Sequence, residues 1–173
     1  GRDVPFAPPP YAAHYPDEDS LLDRVHTDFR NGYWWIEVGM PYHTIDDNEA
    51  IRDELLRHVL GVWDHLKNHC PRFREAARHW ALDWFGWVCG KRESRRLMGD
   101  HLLTEGDLRG ARLFEDRVAY GRHFLDLHTM GGILAAGQPG NPVDSDPVLY
   151  DAMRIAPYSI PLRSLYSAAV ENL

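Results

Sequence analysis

Four cations fall within six residues in the segment Gly90-Lys91-Arg92-Glu93-Ser94-Arg95-Arg96-Leu97-Met98-Gly99-Asp100. A guanidinium offers a rigid fork of donors to a carboxylate or phosphate, so a pocket facing these side chains would suit an anion. In a strand or tight turn, alternation aims Arg92, Ser94 and Arg96 at one side and Lys91, Glu93 and Arg95 at the other, leaving Glu93 or Asp100 to pair with the set that does not face the pocket. A solvated charged turn is the plainer reading; the flanking Trp84, Trp87, Leu97 and Met98 argue against full exposure. Asp126-Leu127-His128 places a carboxylate and an imidazole two residues apart, on one side of an extended chain. Such an imidazole is either a proton acceptor near neutral pH or a core-edge histidine satisfied by a carbonyl. Tyr158-Ser159-Ile160-Pro161-Leu162-Arg163-Ser164-Leu165-Tyr166 sets two tyrosines and an arginine around a proline that interrupts a regular ladder. His65 and His69 stand four apart with His58 near their helical face, so three imidazoles could approach one another. There is no H-E-x-x-H, no cysteine pair at zinc spacing and no carboxylate obviously placed to complete a shell, so no metal is assigned. Ser-His-Asp patterns, a nucleophile elbow, a P-loop and G-x-G-x-x-G are all missing from the sequence.

The composition narrows the function classes. The chain has 173 residues, 44% hydrophobic and 26% charged, enough to build a sizeable core without disulfides. Its 19 Lys and Arg against 26 Asp and Glu give a net charge of −7, which disfavours nucleic acid and anionic membranes as partners. Two cysteines, Cys70 and Cys89, do not make a disulfide framework and point to a reducing, cytoplasmic setting. No apolar run reaches the roughly 18 residues of a membrane helix, and no signal-peptide pattern is visible. The start at Gly1 and the apolar, strand-like Val170-Glu171-Asn172-Leu173 end lead us to expect a segment excised from a longer protein.

The elements that must position these residues follow from periodicity. Val4-Pro5-Phe6-Ala7-Pro8-Pro9-Pro10-Tyr11 excludes helix and central strand, so residues 1–31 read as a proline-rich extended arm ahead of a domain over 32–173. Gly32-Tyr33-Trp34-Trp35-Ile36-Glu37-Val38-Gly39 has the aromatic and β-branched character of a short strand. Ile51, Leu55, Val59, Val62 and Leu66 form one arc of an amphipathic helix, with Asp46 as its cap, Glu49 completing a capping box and Lys67 on the solvent side. Pro71 ends that helix and opens a second, with Phe73, Ala76, Ala77, Trp80, Ala81 and Trp84 on its apolar arc, so the two form a hairpin. From Phe85 to Thr104 glycines punctuate short apolar runs, read as strands and turns, and Val118–Tyr120 with His123–His128 reads as one further strand or a bent pair. Gly131–Pro147 reads as a long surface loop. The expected class is α+β, with a small mixed or antiparallel sheet, a helical hairpin and long loops.

Taken in order, Gly32–Glu37, Asp47–Leu55, Gly90–Arg96 with Gly99-Asp100, Leu125–His128 and Tyr158–Tyr166 resemble the FAD-dependent oxidoreductase family, bacterial flavoproteins with an architecture like that of glutathione reductase. The resemblance covers nearly the whole chain from Gly32. It implies a two-domain enzyme in which a Rossmann-type half holds FAD and a second half covers the flavin ring and shapes the substrate pocket. This chain resembles the second, the substrate or cap domain. The resemblance implies hydride transfer from a small organic substrate to flavin, with His128, Arg95 and Arg96 catalytic, Arg92, Tyr158 and Arg163 at the substrate, and Lys91 and Ser94 at the cofactor.

Without the glycine-rich fingerprint, the chain alone is not expected to retain FAD or to be active. A domain parted from its FAD-binding half leaves apolar surface uncovered, so self-association is expected. The alternative is a non-catalytic module that holds an anionic small ligand and self-associates. A metal-dependent hydrolase is a third reading, and would require stoichiometric metal.

Overall fold

The computed structural model describes residues 1–21, 24, 30, 36–92 and 94–170. Tyr33, Trp34, Trp35 and Glu93, on which part of the strand and basic-turn readings rest, lie outside the described residues. The chain divides into two compact units, Gly1–Ser94 with His128–Pro142, and Arg95–Leu127 with Val143–Leu173. The architecture is α+β, as expected from the sequence.

In the first unit the amphipathic helix α1 (Asn48–Asp64) forms over 17 residues. Its cap is Asp47 rather than Asp46, and no side chain caps it; the Asp47 carboxylate instead accepts from the His43 amide at 2.7 Å. Of the expected apolar arc, Ile51, Val62 and Leu66 are buried, whereas Leu55 and Val59 are half-buried. Beyond Asp64 the helix widens into a π-helical turn, His65–His69, closed by the Cys70 amide on the His65 carbonyl at 2.8 Å. That widening rotates Lys67, expected on the solvent side, into the protein. Its ammonium donates to the carbonyls of Ala77, Arg78 and Trp80 at 2.8, 3.0 and 2.8 Å.

Lys67 also explains why the second helix is short. The chain makes only α2 (Arg74–Ala77), not the helix expected through Trp84, because carbonyls that would continue the ladder are taken by the ammonium. Trp84 and Trp87 are consequently exposed, and among the described residues 85–103 no strand forms.

The core of this unit gathers Val62, Trp63 and Leu66 of the helix with Ala77, Ile133 and, from the amino-terminal segment, Ala13, Tyr15 and Leu21. The Ala13 amide donates to the Arg57 carbonyl at 3.0 Å, and Ala13 crosses so close to Gly61 that any Cβ there would collide with its carbonyl. Gly131–Pro147 is a surface loop only in part: residues 136–138 and 144–147 are exposed, whereas Gly131, Gly132, Ile133, Asn141 and Val143 are buried. Buried Arg24 ties it down, donating to the carbonyls of Gly132 and Gln138 at 3.2 and 2.7 Å.

The second unit carries α3 (Glu105–Arg109), β1 (Arg117–Gly121), α4 (Pro142–Ser145, from Val143 on), α5 (Pro147–Met153) and β2 (Tyr158–Pro161). Strands β1 and β2 pair antiparallel, Gly121 opposite Tyr158 and Tyr120 opposite Ser159, with a bulge between Arg117 and Ala119. The expected strand at Val118–Tyr120 forms, and Pro161 sits at the bulged end, where its missing donor costs least. The segment 123–128 is irregular rather than a strand. Buried Phe114 is the centre of the unit, with the His101 ring at 4.8 Å and the Arg112 and Arg163 guanidiniums at 4.6 and 5.6 Å from its ring.

Candidate active site

Within the first unit, Glu37, Arg92 and His128 converge. The chain at 37–38 runs against the turn at 131–133: Val38 and Gly132 form an antiparallel bridge, and the Ile133 amide donates to the Glu37 carbonyl at 2.8 Å. Gly132 has φ +60°, and a Cβ at this position would collide with the Glu37 carbonyl, so both the conformation and the approach call for glycine. Thr129, next to His128, is fixed by its hydroxyl donating to Pro139 O at 2.6 Å and its amide to Gly140 O at 3.1 Å. The histidine therefore stands on a braced turn.

The side-chain geometry then selects a tautomer. His128 Nδ1 lies 2.7 Å from Glu37 Oε2, and a carboxylate only accepts, so Nδ1 carries the proton and donates. Nε2 is left as the acceptor in that tautomer; Arg92 Nη1 lies 2.9 Å from Nε2 and 3.3 Å from Nδ1, and also reaches Glu37 Oε1 at 3.1 Å. The His128 side chain is 15% exposed and that of Arg92 57%, so the imidazole is sheltered beneath a guanidinium that reaches solvent. Such an arrangement has two capacities. The oriented imidazole takes a proton at Nε2 when the guanidinium swings aside, and the guanidinium binds an anionic group brought to the same place.

Of the other candidates in this unit, Lys91 donates to the Thr44 carbonyl and to Asn48 Oδ1, which ties the basic segment to the start of α1. Arg52 from α1 lies over the Trp87 ring at 5.1 Å, fixing the same segment from the other side. Ser94 is half-buried. Arg95, Arg96, Tyr158 and Arg163 belong to the second unit. There Arg95 and Arg96 are exposed, and Tyr158 is half-buried at the start of β2. Arg163 lines an open cleft of about 450 Å³ with Arg112, Phe114, Asp116 and Tyr166.

Glu37 was not singled out from the sequence as a functional residue. Its partner is 91 positions away, and the available signal was a charged residue within an aromatic, β-branched run. Nor do His58, His65 and His69 share a site. His58 Nδ1 meets the Tyr15 hydroxyl at 2.5 Å, His65 Nδ1 the Tyr15 carbonyl at 2.8 Å, and His69 lies against Asp64 at 3.3 Å. Burial holds the Tyr15 hydroxyl up at about 12 and pushes His58 below the usual histidine range.

The described residues contain no parallel strand leading into a glycine-rich helix start, so they do not supply the cradle a dinucleotide pyrophosphate requires. No helix among them is long and apolar enough to cross a membrane. Among curated proteins and among solved structures none matches this chain. A family model described as FAD dependent oxidoreductase matches residues 3–173, and on that match, which spans nearly every residue, the chain belongs to the FAD-dependent oxidoreductase family, with FAD as the cofactor.

Proposed function

We propose that this chain is the substrate-domain portion of an FAD-dependent oxidoreductase that moves hydride from a small organic substrate to flavin, and that Glu37, His128 and Arg92 are the part of it that handles the substrate. FAD, when bound, supplies the hydride acceptor. The residues of this chain would do the rest. Glu37 orients the imidazole through Nδ1, so that Nε2 accepts a hydroxyl proton from the substrate. Arg92, at the mouth of the site, holds an anionic substituent of the substrate and offsets negative charge as it develops.

The observation that carries this reading is the Glu37–His128–Arg92 chain of contacts at 2.7 and 2.9 Å. It gives the imidazole a fixed orientation and a cationic neighbour, the pairing that a proton-accepting step on an anionic substrate needs. The same reading assigns Arg95 and Arg96 to anion stabilisation, Tyr158 and Arg163 to substrate binding, and Lys91 and Ser94 to the cofactor. Partners are a small-molecule substrate, an FAD-binding half and a second copy of the chain, not nucleic acid or membrane. Support for a covering partner comes from Trp84, Trp87 and Val88, which are 80, 68 and 83% exposed in the irregular segment of the first unit.

The test is single-turnover flavin reduction by substrate in the full-length parent enzyme loaded with FAD. His128→Ala and Arg95→Ala are each expected to slow it at least tenfold; wild-type rates in both variants would remove these roles. Light scattering at high concentration checks self-association, and a strictly monomeric species would refute it.

A further inference from the structure

The widened turn at the end of α1 creates a second constellation. In an α-helix, at 3.6 residues per turn, positions 64 and 69 would project about 140° apart. The π-helical turn over His65–His69 brings them round to one side, so His69 Nε2 lies 3.3 Å from Asp64 Oδ2. Single π-helical turns inside α-helices recur at functional sites.

A third ligand comes from the amino-terminal segment. His14 is flanked by two anchored residues: the Ala13 amide is bound to the Arg57 carbonyl, and Tyr15 meets His58 through its hydroxyl and His65 through its carbonyl. These anchors leave His14 facing His69, ring centroids 5.8 Å apart and planes at 89°. Ligand atoms of His14, Asp64 and His69 all lie within 4.8 Å of one another. A tetrahedral shell with metal–ligand bonds of about 2.0–2.1 Å needs a separation of about 3.4 Å. Rotation of the two exposed imidazoles closes that difference, because neither is packed in the core.

The surroundings fit ligation better than an ordinary ion pair. Asp64 is buried, 4% exposed, and its other oxygen, Oδ1, accepts from Asn68 Nδ2 at 2.6 Å. Asn68 in turn donates to the Phe6 carbonyl at 3.1 Å, so the carboxylate is oriented by a side chain that is itself held. An outer contact of this kind on a ligating carboxylate is characteristic of metal sites. We propose that His14, Asp64 and His69 form a site for a borderline divalent transition metal of the zinc class, with water completing the shell on the open side. Two imidazoles and one carboxylate favour such an ion over Mg²⁺ or Ca²⁺, which prefer all-oxygen shells. Bound metal would clamp the amino-terminal segment onto the end of α1. The inference is independent of the flavin chemistry.

The test is titration of the whole chain with Co²⁺, read by the visible absorption of low-coordinate cobalt, and with Zn²⁺ by competition. One equivalent is expected to bind. His14→Gln, at an exposed position, and His69→Ala are each expected to weaken binding at least tenfold, with circular dichroism unchanged in the His14 variant; Asn68→Ala is expected to weaken it about tenfold. Three results would overturn the site: no saturable binding, saturable binding unmoved by His14→Gln and His69→Ala, or displacement of Co²⁺ by a tenfold excess of Mg²⁺.

Discussion

Glu37 Oε2 receives the Nδ1 proton of His128 across 2.7 Å, from a backbone that the buried turn at Gly132–Ile133 holds in place. In the proposed function substrate meets the imidazole at Nε2, and the Nδ1 contact gives Glu37 a positioning part. Glu37→Gln is therefore expected to lower the rate of flavin reduction in the full-length, FAD-loaded parent about tenfold, roughly 1.4 kcal/mol, while leaving substrate KM nearly unchanged. Arg92→Ala should instead raise KM for an anionic substrate. A Glu37→Gln variant that altered KM alone would contradict the division of labour.

The crossing of Ala13 over Gly61 gives a stability prediction. A methyl group at position 61 would collide with the Ala13 carbonyl, which belongs to buried backbone rather than to a side chain that can turn away. Gly61→Ala should destabilise the first unit by about 1–3 kcal/mol, despite alanine's better helix propensity of about 1 kcal/mol. All six tryptophans lie before Ser94, so the urea midpoint followed by tryptophan fluorescence reports this unit. An unchanged or higher midpoint would mean the segment shifts without cost.

Much of this was legible in the sequence, and the failures have particular causes. The periodicity of Ile51, Leu55, Val59, Val62 and Leu66 located α1, since an amphipathic arc depends only on local spacing. The strand at Val118–Tyr120 and the placement of Pro161 at a ladder's end were likewise local. The second helix was overextended because its termination is a tertiary effect: Lys67, brought inward by a π-helical turn, takes the carbonyls near Ala77. Polar Gly131–Pro147 looked like surface throughout, yet its first part is buried, with the Arg24 guanidinium donating to the carbonyls of Gly132 and Gln138. His128 was identifiable as a candidate base, whereas Glu37 was not, because a pair 91 residues apart leaves no spacing to read.

The Tyr15–His58 pair makes stability pH-dependent at both ends. Burial raises the Tyr15 hydroxyl from 10.0 to about 12, so the neutral form is favoured in the folded state. Its contribution is present below pH 10 and is lost as pH rises towards about 12. His58 is shifted the other way by burial, so its contribution is present above pH 6.5 and falls as the pH drops through the lowered value. Tyr15→Phe should abolish the alkaline loss attributable to this residue and cost about 1–2 kcal/mol at neutral pH through the missing hydrogen bond to His58. Ultraviolet titration checks the first point: one tyrosine should ionise about two pH units after the exposed ones. If all tyrosines titrate together near pH 10, the pair does not form in solution.

In the second unit the corresponding device is acidic. Asp107 closes the capping box of α3: its amide donates to Thr104 Oγ1 at 3.2 Å, and its carboxylate accepts from the Thr104 amide at 3.1 Å and from Arg112 Nη1 at 2.9 Å. The Thr104 amide, followed by Arg112, holds the carboxyl down at about 2 against an ordinary 3.8. A depressed value means that the stabilisation is present above pH 3.8 and disappears as pH falls towards about 2. Asp107→Asn keeps the shape but loses the charge, so it should destabilise α3 at pH 6 and approach the wild type near pH 2. Because this unit has no tryptophan, the measurement is amide hydrogen exchange of Asp107, Leu108, Gly110, Ala111 and Arg112, whose amides donate to carbonyls three to five residues back. Protection that differs between variant and wild type as much at pH 2.5 as at pH 6 would show that the carboxylate's charge does not hold the cap.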